Sequence, residues 1–258
     1  MRRSKSLAAG AWALFAAGLS FAAVPATAAT FTVKPGESIQ AAVKRAVPGD
    51  RIEVEPGLYK ETVFIDKDRI ELRGLVRGGL WPVLDGENVL NDGVLISGHG
   101  VSVERMWVKR YKGNGIMTQG ANNYRIAYNV VEGPCFYAIF PQFGKNGLVA
   151  HNIVFGSEDA AIYVGMSQNV DVVHNETYDS IIGIESENSS DILVENNYVH
   201  DNVIGIATTM LPGLPVKVAD RLIVRNNVVA RNNRKNDAPP GAITAGAPPG
   251  LGILVLGT

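Results

Sequence analysis

A single cysteine, Cys135, leaves no partner for a disulfide within the chain. Stability must therefore come from packing and backbone hydrogen bonds. Neither sign of charge is in excess: 24 Lys and Arg stand against 25 Asp and Glu, a formal net charge of −1. Electrostatic capture of nucleic acid or of an anionic membrane is not expected from such a balance. Long helical patterns are almost missing, and beyond residue 28 no apolar run is long enough to span a bilayer. What is plentiful is glycine, 28 residues, together with asparagine at regular intervals. That combination predicts many short strands joined by tight turns.

The N-terminus is of a different kind. Arg2, Arg3 and Lys5 precede an Ala/Leu/Phe run from residue 7 to 24, and Pro25-Ala26-Thr27-Ala28-Ala29 offers small residues for cleavage. This order is that of a secretory signal peptide, so residues 1–28 are expected to be removed and the product to be secreted or periplasmic. Residues 29–258 then form one domain, with no membrane insertion after cleavage.

An internal repeat runs through that domain. The pattern apolar, any, apolar, any, any, Asn recurs at Tyr124-Arg125-Ile126-Ala127-Tyr128-Asn129, at Val170-Asp171-Val172-Val173-His174-Asn175, and at Ile192-Leu193-Val194-Glu195-Asn196-Asn197. Asn129, Asn152, Asn175 and Asn197 follow one another at 23, 23 and 22 residues. A second marker, Ile116, Ile139, Ile162, Ile184 and Ile206, keeps the same step. A period of 22–23 with alternating apolar positions is one coil of a β-solenoid, its coils stacked about 4.8 Å apart. Asn at a fixed turn tolerates a left-handed backbone, and its amide can bond the Asn of the next coil.

The ends of such a stack need protection. Ile39, Ala42, Val43, Ala46 and Val47 have helical spacing, and Pro48-Gly49-Asp50 stops the pattern. A short N-terminal capping helix is expected over 38–47, followed by strands near 51–55, 62–65 and 69–72. The chain stops at Ile253-Leu254-Val255-Leu256-Gly257-Thr258, in or just after a strand, so a truncated C-terminus is expected. One coil is long: Ile206 to Ile253 takes 47 residues, with inserts within 207–220 and 232–250. Long loops on a regular scaffold often line a binding site.

These residues resemble a known family. Pro35-Gly36-Glu37-Ser38-Ile39-Gln40-Ala41-Ala42, Pro48-Gly49-Asp50 and Pro56-Gly57-Leu58-Tyr59-Lys60-Glu61 look like the start of many exported β-helix proteins. Asp159-Ala160-Ala161-Ile162-Tyr163-Val164-Gly165 and Gly183-Ile184-Glu185-Ser186-Glu187-Asn188-Ser189 are similar to bacterial parallel β-helix repeat proteins of the pectate-lyase-like superfamily. The resemblance, over 31–258, implies an all-β, right-handed parallel β-helix. By analogy it also implies an action on polysaccharide.

Particular chemistries fare less well. Gly98-His99-Gly100 echoes a polygalacturonase motif, but the Asp cluster needed for acid and water activation is missing. In Asn152-Ile153-Val154-Phe155-Gly156 an Asn stands where a pectin-methylesterase would carry Asp. Of the Asp-Pro-His-Asp of alginate epimerases only His200-Asp201 is present. A pectate-lyase-like site, which needs acidic calcium ligands and a base, has no motif to test.

Register proposes where a site could lie. Asp179 and Asp201 both follow a ladder Asn by four residues and should meet in adjacent coils. Two carboxylates so close call for a proton or a bridging cation such as calcium. Glu185, Asp201 and His200 are the candidate catalytic residues, and Asp179 and Asp201 the candidate metal ligands. Glu158 and Asp159 lie one coil earlier. Tyr163 should stack over Glu185, giving an acidic and aromatic strip of Gln119, Gln142, Tyr163, Glu185 and Glu187, expected to face solvent and to bind sugar. His151 and His174 are also in register but are too few for a metal site. Two functions follow. One is an exported β-helix that binds acidic polysaccharide and modifies it by elimination or epimerisation. The other is a non-catalytic scaffold for surface interaction or periplasmic maturation.

Overall fold

The computed structural model describes residues 28–133 and 135–257. The expected signal peptide, but for residue 28, lies outside them. The strands pair in parallel into three sheets of nine, eight and eight strands, and neighbours within a sheet lie three strands apart in sequence, save the first pair, Thr30–Val33 and Arg51–Val54, which are consecutive. A chain that visits three sheets in turn and returns one strand further on is a solenoid, here a right-handed β-helix of about eight turns.

The sequence period becomes a register. Ile116, Ile139, Ile162, Ile184 and Ile206 pair directly from coil to coil in the third sheet, and all five are fully buried. Val103, Ile126, Val149, Val172 and Val194 do the same in the first sheet. Inward positions alternate with outward ones because successive side chains on a strand point to opposite faces. The interior is thus a stack of β-branched side chains. At the far end Ile253 pairs with Ile206 but is 55% exposed.

The turns are held by side-chain ladders. Asn129 donates through both its backbone NH and its amide to Asn152 Oδ1, at 3.0 and 3.1 Å. Asn152 does the same to Asn175, Asn175 to Asn197, and Asn197 to Asn227. These buried amides are fully paired, as burial requires. The left-handed residue is not the ladder Asn itself but the one before it: Tyr128, His151, His174, Asn196 and Asn226, with φ between 55° and 60°. The preceding residue makes the bend so that the ladder side chain can turn inward. A second ladder runs through Ser157, Ser180, Asn202 and Asn232. There too the preceding residues, Asp179, Asp201 and Arg231, are left-handed.

The N-terminal helix spans Ile39–Arg45, shorter than expected. Ser38 Oγ accepts from Ala41 NH, and Glu61 accepts from the NH groups of Ile39 and Gln40. These bonds satisfy donors that a helix start leaves unpaired. At the other end Lys67 Nζ donates to the carbonyls of Val43, Lys44 and Ala46. Ala46 ends the helix in extended backbone, φ −62° and ψ 152°, and Pro48 disfavours helical backbone at Val47. The helix buries Ile39, Ala42 and Val43 against first strands of the barrel. The strand expected at 69–72 is Glu71–Gly74, since Arg69 occupies a left-handed turn at φ 55°.

Candidate functional site

Two columns of outward side chains run along the third sheet. One holds Met117, Phe140, Tyr163, Glu185, Ala207 and Leu254, the other Gln119, Gln142, Gly165, Glu187, Thr209 and Leu256. Tyr163 pairs with Glu185, as the repeat predicts. Glu185 and Glu187 sit two residues apart on the strand Ile182–Glu187, so both leave the same face, about 6.6 Å apart at Cα.

This face is not the solvated strip expected. Tyr163 is 5% exposed and Glu185 and Glu187 are 8% each. The cause is the long coil. Residues 231–250 leave the second sheet and fold back over the third, where Ala238 and Ala247 pack on an outer apolar cluster that includes Ile182, Ile204 and Tyr163. Asn236 ties this segment together by donating to the carbonyls of Thr244 and Ala247 at 2.9 and 2.8 Å. Gly250 NH anchors its end to Val203 and Asn232 carbonyls. The other insert is anchored by Asn188, next to Glu187. Its amide donates to Leu211 and Val216 carbonyls, and its Oδ1 accepts from Leu211 NH.

Between roof and sheet lies a cavity of about 230 Å³. Tyr137, Asp159, Glu185, Glu187 and Thr209 line its floor, and Thr244 and Ala247 its roof. No Lys or Arg is among its lining residues. Tyr163 donates to Glu187 Oε1 at 2.5 Å, which marks that carboxyl as an acceptor. Thr209 Oγ1 is 3.4 Å from Glu185 Oε1, and Asp159 Oδ1 is buried without a hydrogen-bond partner. Burial pushes Glu185 up to about 8, helped by the charges of Glu187 and Asp159 and opposed by Thr209. Burial also pushes Asp159 up to about 6, with Glu187 acting in the same sense and Thr244 against it. Tyr163 is held as a phenol by burial and by Glu187. The site therefore combines a carboxyl that keeps its proton at neutral pH with a second carboxyl, two residues away, that accepts from Tyr163. Such a pair can give and take protons on one substrate.

The other predicted residues lie elsewhere. Gln119 and Gln142 share the Glu187 column but lie outside the cavity, the first exposed and the second half-buried. His200 and Asp201 follow from the second sheet, so Glu185 does not meet them. His200 Nδ1 is 2.6 Å from Asp201 Oδ2, and Nε2 is 3.2 Å from Glu176 Oε1, with the ring stacked against Tyr178 and Tyr198. Asp179 and Asp201 do lie in adjacent coils, where Asp179 NH donates to the Asp201 carbonyl. However, each carboxylate has an arginine. Arg231 pairs with Asp201 through two nitrogens, and Arg234 pairs with Asp179 at 2.7 Å. Guanidinium groups thus stand beside both carboxylates, and Arg231 and His200 hold Asp201 down to about 2. Among the described residues no group of three or more His, Cys, Asp or Glu is arranged to hold a metal ion. His151 and His174 stack with Tyr128 as parallel rings 4.8–4.9 Å apart on the turn edge.

Sequence reasoning did not join Asp159, Thr209 and Thr244 to the strip. Asp159 and Thr209 could have been found by extending the register to the strand ends. Thr244 belongs to a non-repetitive insert, and no periodicity places it.

Among curated proteins, none matches this sequence. Solved structures show the same architecture at low identity. The chain aligns with the DFA-IIIase of Arthrobacter chlorophenolicus A6, solved without its lid in complex with GF2, at TM-score 0.56 and 14% identity, covering 84% of this chain and 75% of that one. The Dettilon tailspike protein gives 0.53 and 14%, covering 83% of this chain but only 43% of the tailspike. The alginate lyase of Paenibacillus sp. str. FPU-7 gives 0.51 and 15%, covering 89% and 98%. A family model described as a right handed beta helix region matches residues 92–246, from the third-sheet strand Asp92–Ile96 to the cavity roof. The chain belongs to the right-handed β-helix family.

Proposed function

We propose that the protein is an exported carbohydrate-active enzyme that cleaves a glycosidic bond by general acid–base chemistry. The observation that carries this reading is the pairing of Glu185 and Glu187 on one face of one strand, inside a roofed cavity with no cation. Glu185, which keeps its proton at neutral pH, donates it to the glycosidic oxygen as the bond to the anomeric carbon breaks. Glu187, held by Tyr163, takes a proton from a water whose oxygen adds to that carbon. One water is consumed and two hydroxyl ends form, and proton exchange with solvent restores the two carboxyls. The likeness in fold to proteins named for saccharide ligands or substrates agrees with a carbohydrate partner.

Elimination or epimerisation of uronates is supported less. Both need a group to neutralise the sugar carboxylate and a base to remove the proton beside it, and the cavity offers three acids and no Lys or Arg. The test is incubation of the full chain with a panel of neutral, amino and uronate polysaccharides, followed by assay of reducing ends, ultraviolet absorbance and proton NMR. New reducing ends without unsaturation, lost in Glu185→Gln, are expected. Unsaturated or epimerised products would replace hydrolysis by the elimination reading. No product across the panel would sink the enzyme and leave a binding scaffold.

A further inference from the structure

We propose that the cavity accepts a sugar bearing a free amino group, whose ammonium is held by Asp159 and Glu187. This rests on the hydrolase reading of the same site and adds the substrate class.

Three carboxyl groups line one cavity, and nothing on its walls neutralises them. Elsewhere along the barrel exposed acids have partners: Asp179, Asp191, Glu195 and Asp201 each meet an arginine. Inside the cavity the counter-charge is missing where burial makes it most needed. Glu185 is 8% exposed, and its single hydrogen-bond neighbour is Thr209, at 3.4 Å from Oε1. Its other oxygen faces no donor among the described residues. Asp159 Oδ1 is buried with no partner at all. The hydroxyls of Tyr137, Thr209 and Thr244 are the neutral donors of the lining, and no positive charge stands among them.

The ligand that completes such a surface brings several donors and positive charge. An ammonium has three N–H donors and no acceptor. A bare metal ion fits less well, because no three of these carboxyls converge as a metal site. A uronate would add a fourth acid. A neutral sugar would supply hydroxyl donors and leave the charge uncompensated. The volume agrees: about 230 Å³ is about eight water volumes, room for one pyranose ring. Tyr137 lines the floor and packs on Tyr163 at 4.6 Å, which puts an aromatic ring beside a sugar or the cation. Glu187, already oriented by Tyr163, and Asp159, whose Oδ1 has no hydrogen-bond partner, are the two to flank the ammonium. Glu185 keeps the remaining proton for the leaving oxygen.

The test is calorimetric titration of the full chain with four tetrasaccharides: glucosamine, galactosamine, glucose (cellotetraose) and galacturonate. The expected result is an amino tetramer that binds at least tenfold more tightly than cellotetraose, with the galacturonate weakest. Asp159→Asn and Glu187→Gln, verified as folded by thermal melting, should each cut the amino preference at least fivefold. Equal affinity for amino and neutral tetramers overturns the inference, as does a preference that both variants retain. Reducing ends are measured on the same samples. Cleavage of neutral sugar that depends on Glu185, without amino preference, refutes the ammonium and keeps the hydrolase. Tight amino binding without cleavage keeps the ammonium and refutes the hydrolase. Binding of no tetramer refutes both.

Discussion

The molecule carries two acidic regions, and they are built on opposite principles. On the turn edges, Asp179, Asp191 and Asp201 occupy left-handed positions with φ between 52° and 57°, and each faces an arginine from its own edge of the barrel. Under the insert, Glu185, Glu187 and Asp159 face one another and no cation. A short Asp is among the few side chains that tolerate a left-handed turn, so the first group is explained by backbone geometry and charge pairing. Nothing in the packing of a β-helix asks for the second group. Acids that cost stability and lie in a cavity are the ones to examine for chemistry.

The largest effect that would break this contrast is the pH dependence of folding. A carboxyl whose pKa is raised in the folded state binds its proton there more readily than in the unfolded chain. Between about 4.5 and 8 the folded protein then holds more protons, and stability falls as pH rises. For Glu185 the upper limit is about 5 kcal/mol across that window. Asp191 and Asp201, held down to about 2, act in the opposite sense: their contribution is present above about 4 and is lost as pH falls towards 2. Urea unfolding from pH 2 to 9 should therefore show an acid limb from the turns, below about pH 4, and a decline from the cavity between about pH 4.5 and 8. Glu185→Gln should flatten the second and leave the first. A decline that survives this change would remove the cavity from the explanation.

Catalysis sharpens the same contrast at slightly smaller scale. Glu185→Gln is expected to lower kcat by about 10²–10⁴-fold, the range for losing a general acid. Asp201→Asn should alter kcat less than about twofold, since its carboxylate serves an arginine in a turn. Comparable losses in the two would erase the distinction.

Asn188 joins the regions, for it is a left-handed turn residue, φ 46°, whose amide holds the wall of the cavity. Asn188→Ala should cost about 3 kcal/mol through three lost hydrogen bonds and backbone strain, read by chemical denaturation. The smallest expected effect is that of a chelator. EDTA should leave activity and melting temperature unchanged, because arginines stand beside Asp179 and Asp201. A calcium-dependent rise in either would reinstate the cation that sequence register suggested.

Much of the scaffold is legible before any coordinates. The 23-residue step of Asn129, Asn152 and Asn175 and the matching step of Ile116, Ile139 and Ile162 state the coil, the register and the inward face together. Local rules also place the helix start at Ser38, although Ala46 leaves helical backbone and shortens its end. Half of the site is legible in the same way, since strand alternation puts Glu185 and Glu187 on one face with Tyr163 beside them.

What the sequence could not state is which outward strip is covered. Periodicity fixes direction relative to the core, in or out, and an outward position reads as solvated. Residues 231–250 have no period, so where they fold depends on the apolar cluster of Ile182, Ile204 and Tyr163 that they meet in three dimensions. By itself the sequence determined a stacked barrel and the neighbours of each residue within it, because repeats turn local spacing into register. Only the tertiary structure decided that a non-repetitive segment would roof two glutamates and an aspartate. That enclosure turns surface acids into a cavity with a retained proton, because it removes the water that would otherwise screen their charge.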